Sequence, residues 1–146
     1  MNTSWAKCSL RRWLNGDFYK KAFRSADRNY ILQTRVVPDS VPEDGSAGSA
    51  TTDRLFLLSA TEAGLYFQND AARMCAPTDY ALSRHTFTNA NIQTDGRPAC
   101  WWWLRTPGYS SINTVTVDNL GSFDLLGNAV FMRSRGVRPC MWVKVS

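Results

Sequence analysis

A single histidine among 146 residues, and four cysteines without a Cys-x-x-Cys pair, leave this chain without the close ligand pairs that zinc sites require. No apolar run approaches the roughly 20 residues of a membrane-spanning helix, and the opening MNTSWAKCSLRRW has no apolar signal-peptide core. The chain is therefore expected to be soluble and to carry no secretion signal of its own. Dense runs of one charge are also missing. Basic residues outnumber acidic ones, 17 to 12, for a net charge of +5, but they are scattered along the length. That pattern disfavours a nucleic-acid groove or a polybasic anchor. A weaker nucleic-acid reading rests on the basic face between Arg11 and Arg28, which is otherwise a solvated helix surface.

What is present fits one folded domain spanning 1–146. Hydrophobic residues make up 44% and charged residues 20%, near globular averages, and the length suffices for one core. Six tryptophans and 12% aromatic residues suit either a core or a protein-binding surface. Cys8, Cys75, Cys100 and Cys140 read as free buried thiols, or with Cys100 and Cys140 bridged across the C-terminal block.

Along the chain, Leu10, Trp13 and Leu14, then Phe18, Ala22 and Phe23, recur at helical spacing on either side of Asn15-Gly16. This predicts two short amphipathic helices with Asp17 capping the second. Tyr30 to Val37 reads as a strand stopped by Pro38. Residues 39–53, rich in Pro, Gly, Ser and acidic residues, read as a flexible loop in which Glu43 and Asp44 only solvate the chain. Leu55 to Leu58 is a short apolar strand. Ser59 and Glu62 form a capping-box pattern opening a helix towards Phe67, and Asn69 or Asp70 caps a further turn. Tyr80 is expected to pack inward, and 83–99 to be a polar loop.

The most informative stretch is 100–146. Val115 and Val117 alternate with Thr114, Thr116 and Asp118, a strand with one face inward. Asn119, Gly121 and Gly127 supply turns, so the block reads as an antiparallel meander of short strands ending in Val137 to Val145. Trp102, Trp103, Leu104, Val115, Val117, Phe123, Val130, Val137 and Trp142 are its expected framework. Arg105 and Arg138 are expected to hold buried turns through carbonyls.

The segments SLRRWLNGDFYKKAF, DRLFLLSATEA, CAPTDYAL, WWWLRTPG and GVRPCMWVKV, in this order and spacing, resemble a widespread bacterial and phage family of C-type-lectin-like domains. These are similar to the variable proteins of diversity-generating retroelements. The resemblance covers nearly the whole chain. It implies an α+β, C-type-lectin-like fold with short N-terminal helices, and a C-terminal segment (100–146) whose codons tolerate diversification at adenines. Members of this kind usually carry a strand-rich stretch upstream of the first helix, so the resemblance implies either a minimal version of the family or a core completed by upstream residues or by another chain, as in a homo-oligomer or with a display partner.

The chemistry of enzymes on related folds has no counterpart here. The Glu-Pro-Asn, Gln-Pro-Asp and Trp-Asn-Asp patterns of calcium-dependent sugar binders are absent, as are a reactive cysteine beside a base and any nucleophile motif. The expected activity is non-enzymatic binding of a protein or cell-surface ligand, without metal or cofactor. The expected ligand-binding positions lie on loops or on the outward strand parity: Tyr109, Ser111, Asn113, Thr116, Asp118, Asp124, Leu125, Asn128, Phe131 and Arg133. Their mix of aromatic, small polar and charged types resembles an antibody combining site. The alternative is a fixed-sequence interaction or structural domain of a bacterial or phage assembly.

Overall fold

A computed structural model describes residues 4–39 and 48–145. Its architecture is α+β, with short helices and three small antiparallel sheets. After a 3-10 turn at Trp5–Lys7, helix α1 (Ser9–Trp13) runs without a break through a π-helical stretch, Leu14–Phe18, into α2 (Tyr19–Ala22). The expected break at Asn15-Gly16 is therefore corrected to a widened turn, and Asp17 caps nothing. The reason lies in a remote segment. Asn15 Nδ2 donates to the Leu55 carbonyl (2.8 Å), while its Oδ1 accepts from the backbone N–H groups of Arg54 (2.7 Å) and Leu55 (3.0 Å). The side chain thus serves as a strand partner for buried Leu55. The π-helical stretch is the rare single-turn widening found inside α-helices, and here it contains the asparagine that makes these bonds.

Helix α3 (Ser25–Arg28) leads to β1 (Thr34–Val36), shorter than the expected strand over 30–37. Most of the expected 39–53 loop, including Glu43 and Asp44, lies outside the described residues. Its last residues form β2 (Thr51–Asp53), in register with β1 through Thr34 and Asp53. Asp53 is buried and joins this pair to the N-terminus. It accepts from Trp5 Nε1 (2.9 Å), Arg11 Nε (2.8 Å) and Thr51 Oγ1 (2.5 Å).

Leu55, Phe56 and Leu57 are buried, but the strand expected over 55–58 is corrected to an irregular segment whose one bridge among the described residues joins Phe56 to Cys140. Ser59 then opens α4 (Ala60–Tyr66) with a complete capping box to Glu62, and Asn69 caps α5 (Asp70–Arg73), both where the pattern places them. Thr78 caps α6 (Asp79–Ser83), on which Tyr80 is 76% exposed, opposite to expectation. The expected loop over 83–99 contains a hairpin instead. Strands β3 (Thr88–Thr94) and β4 (Arg97–Cys100) turn at Asp95-Gly96, both with positive φ, the conformation that two-residue hairpin turns require.

The C-terminal sheet is β5 (Trp102–Pro107), β6 (Asn113–Val117) and β7 (Phe123–Ala129), with β6 central. It separates two apolar clusters. Trp102, Leu104, Val115 and Val117 pack with Ala63 and Phe67 on one face. Trp103 faces the other way, against the cluster of Trp5, Leu14, Val36 and Leu55–Leu57. The expected last strand, Val137 to Val145, does not join this sheet. It bridges back to Phe56 through Cys140 and to Ile31 through Val143, leaving Val137 and Trp142 about half exposed rather than in the framework core. Trp142 instead sets its ring edge-on to Tyr66.

Asn15→Ala would strand the amide and carbonyl of Leu55 and is expected to cost about 2–3 kcal/mol, read from urea unfolding. Asn15→Asp keeps the acceptor but sets a carboxylate against the Leu55 carbonyl, so it should destabilise at neutral pH as well.

Candidate ligand-binding face

The outward end of the C-terminal sheet is shaped by one irregularity. Thr114 pairs with Asn128 and Thr116 with Asp124, so Val115 alone stands opposite Leu125, Leu126 and Gly127. The surplus residues swell outward as a bulge, the usual device for re-aiming side chains at a strand edge. Gly127 makes it possible: its φ is +75°, and a Cβ there would lie 2.7 Å from the Thr114 backbone. The bulge is held from below. Asp124 accepts from the Gly127 N–H (3.3 Å) and from Asn128 Nδ2 (2.6 Å). Asn113 Nδ2 donates to the Gly127 carbonyl (3.0 Å), and the Tyr109 N–H donates to Leu126 O (3.0 Å). Leu125 and Leu126 consequently stand 63% and 68% exposed on fixed backbone.

This geometry divides the expected ligand-binding positions. Tyr109, Ser111, Leu125, Phe131 and Arg133 are exposed. Asn113, Asp124 and Asn128 are half-buried and occupied in holding the bulge, with Asn128 Oδ1 also accepting from Arg135 Nη2 (2.6 Å). Asp118 Oδ1 accepts from the Leu120 and Ser122 N–H groups (2.8 and 2.9 Å) and so organises the β6–β7 turn. Thr116 is fully buried, a correction to its expected outward face. It pairs with Trp103, whose face is covered by the first apolar cluster, so the parity opposite Val115 and Val117 leads to a second interior. Exposed Ile112 and Leu126 were not expected. The signal for Leu126 was Asp-Leu-Leu-Gly, where a glycine needing positive φ follows two leucines that strict alternation would separate.

Beneath the face lies Arg105, buried, whose guanidinium donates to the carbonyls of Leu57 (2.8 Å) and Val37 (3.0 Å), as expected, and also pairs with Glu62. Burial alone would raise the Glu62 carboxyl, but the hydrogen bonds from Arg105 and from the Ser59 backbone outweigh it and hold the pKa below its ordinary value. Arg138 stacks over Phe67 and Trp102 (4.9 and 5.0 Å to the ring centroids) and has a long contact, 3.5 Å, to the Arg73 carbonyl. All four cysteines are free, and Cys100 takes Cys75 rather than Cys140 as its neighbour, its N–H donating to Cys75 O (2.8 Å). A hydrogen bond from the Cys100 thiol, opposed by burial and aided by the nearby Arg138 charge, holds the Cys75 thiol below the ordinary thiol pKa. Cys140 instead donates to Phe56 O. Among the described residues no group of three or more His, Cys, Asp or Glu side chains is placed to hold a metal ion, and no helix is long and apolar enough to cross a membrane.

Next to the face, Phe131 also forms one wall of a half-open cavity of about 540 Å³ between the N-terminal helical segment and the sheet.

The DUF6273 family, a domain of unknown function, matches residues 1–145, and the chain belongs to it. No curated protein and no solved structure gives a significant match.

Because the Glu62 pKa is depressed on folding, its contribution to stability is complete above its unfolded value, 4.5, and is lost as pH falls through the folded value. Glu62→Gln is therefore expected to cost about 2 kcal/mol near pH 7. Wild-type and variant unfolding free energies should converge as pH drops below 4.5.

Proposed function

We propose that this chain is a non-enzymatic binding domain that presents its sheet end, from Tyr109 through the Leu125–Leu126 bulge to Phe131, to a protein or cell-surface ligand. The observation that carries this reading is the bulge itself: two leucines held out in solvent on backbone locked by Asn113, Asp124 and Gly127. Fixed, exposed apolar side chains with Tyr109 and Phe131 nearby give contact area with little ordering cost, the property that serves combining sites. The sequence resemblance supports a C-type-lectin-like fold and, for the source of the ligand specificity, diversification of the kind seen in variable proteins of diversity-generating retroelements. Display on a virion or cell would then come through a partner or an oligomer, which would add avidity.

A specific observation favours the fixed-sequence alternative, an interaction or structural domain of a bacterial or phage assembly. Asn113, Asp118, Asp124 and Asn128 hold turns, and Thr116 is interior. Free replacement there would damage the frame rather than retune a ligand.

The two readings separate on sequencing codons 101–146 across the source population together with the adjoining DNA. The diversified reading expects substitutions concentrated at Tyr109, Ser111, Leu125, Phe131 and Arg133, with a near-identical repeat differing at adenines; an invariant segment without a repeat leaves the fixed reading.

The division between frame and face also has a stability signature. Leu125→Ser is expected to change unfolding free energy by less than about 0.5 kcal/mol, whereas Asp124→Ala should cost about 1–2 kcal/mol. Equal effects in denaturant melts would remove the distinction.

A further inference from the structure

The cavity behind Phe131 has a chemistry that the outer face lacks. Its walls are apolar and aromatic, chiefly Trp5, Leu10, Leu57, Trp103 and Phe131, and its volume of about 540 Å³ falls within the range of small-molecule sites. The lining residues include Lys7 and Arg12 and no carboxylate. Both cations are exposed, and neither forms an ion pair among the described residues. The contrast with their neighbour is informative. Arg11 is neutralised by Asp53, and Arg105, the remaining cation in the lining, by Glu62. Arg12 instead folds back onto the Lys7 carbonyl (3.1 Å), which keeps its guanidinium on the same lip as the Lys7 side chain.

We propose that this cavity binds an anionic amphiphile, with its apolar body between Trp5, Trp103 and Phe131 and its anionic head at Lys7 and Arg12. Charge complementarity selects that class. A neutral apolar ligand would gain the walls but not the lip, and a purely polar anion would gain the lip but leave the walls unused. The site is distinct from the outer face and requires no diversification; Phe131 alone belongs to both.

Two fluorescent probes with the same apolar body, anilinonaphthalene sulfonate and neutral N-phenylnaphthylamine, test the assignment directly. The sulfonate should bind saturably, one per chain, and about tenfold more tightly than the neutral probe. Lys7→Gln with Arg12→Gln, both at exposed positions, should remove that preference while leaving the neutral probe unchanged. Ser9→Trp, at the exposed lip, should abolish binding of both probes, with circular dichroism reporting an intact fold. Equal affinity for the two probes in the unmodified protein, or an unchanged preference in the double variant, would show that the lip does not select charge. Undiminished binding by folded Ser9→Trp would place the probe elsewhere. Leu125→Ser with Leu126→Ser should leave sulfonate binding within about twofold. Loss of binding there would put the probe on the outer face and overturn the cavity assignment while leaving the outer-face reading standing.

Discussion

The guanidinium of Arg105 is the contact on which the remaining architecture depends. It sits in β5, the strand whose alternate residues divide the two apolar clusters, and it gathers Val37 from just beyond β1, Leu57 from the buried segment before α4, and Glu62 from α4. Those segments have little secondary structure binding them to one another. A buried positive charge is costly to leave unpaired, so each partner lost would expose the rest to a desolvation penalty of several kcal/mol. Arg105 thus makes the placement of the segments mutually dependent. Glu62 adds to this dependence, because the carboxylate that neutralises Arg105 also closes the capping box at Ser59. Helix α4 therefore cannot start elsewhere without uncovering the arginine.

With β5 fixed in that way, the sheet is a middle layer. Trp102 and Leu104 point to the cluster around Ala63, and Trp103 to the cluster around Leu14 and Leu57. Central β6 consequently has Thr114, Val115, Thr116 and Val117 all buried. The solvent-facing area available to a ligand is confined to the sheet's end and edge, where the bulge in β7 and the loop at 108–112 lie side by side. Arg73 steadies the opposite end. Its Nε donates to Gly121 O and its guanidinium lies over Phe123, closing the β6–β7 turn against α5. Gly121 meets the Asp70 carbonyl so closely that no Cβ fits. Rigid ends on a two-sided sheet give the exposed side chains a fixed platform.

What was legible in the sequence follows the range of the interaction concerned. Ser59, Glu62 and Asn69 were readable because a cap is closed within three residues of itself. Val115, Val117 and Leu104 were readable because a buried strand face leaves its period in the chain. Asn15 was misread as a break because its hydrogen bonds reach across 40 residues to Leu55, and no local pattern encodes that partner. The hairpin at Asp95-Gly96 carried its turn signal, but its flanks, TNANIQT and RPAC, are largely polar and lack apolar alternation. Thr116 failed for a different reason. Period two separates one face from the other and says nothing about whether the second face meets water or a second core.

The same distinction limits what diversification could achieve on this scaffold. A position can vary freely only when its side chain leaves the backbone around it unchanged. Leu125 and Tyr109 meet that condition. Asp124 does not, because its carboxylate joins the Gly127 N–H to Asn128, and Asn128 in turn reaches Thr116 and Arg135. Replacing Asp124 would loosen the backbone that holds Leu125 and Leu126 in solvent. Polarity is therefore a poor guide to exposure here. The half-buried Asn and Asp residues are occupied by the bulge, and the side chains left in solvent are the apolar and aromatic ones, Leu125, Leu126, Tyr109 and Phe131. Phe131 stands at the junction of that surface with the cavity, exposed on one side and lining the wall on the other.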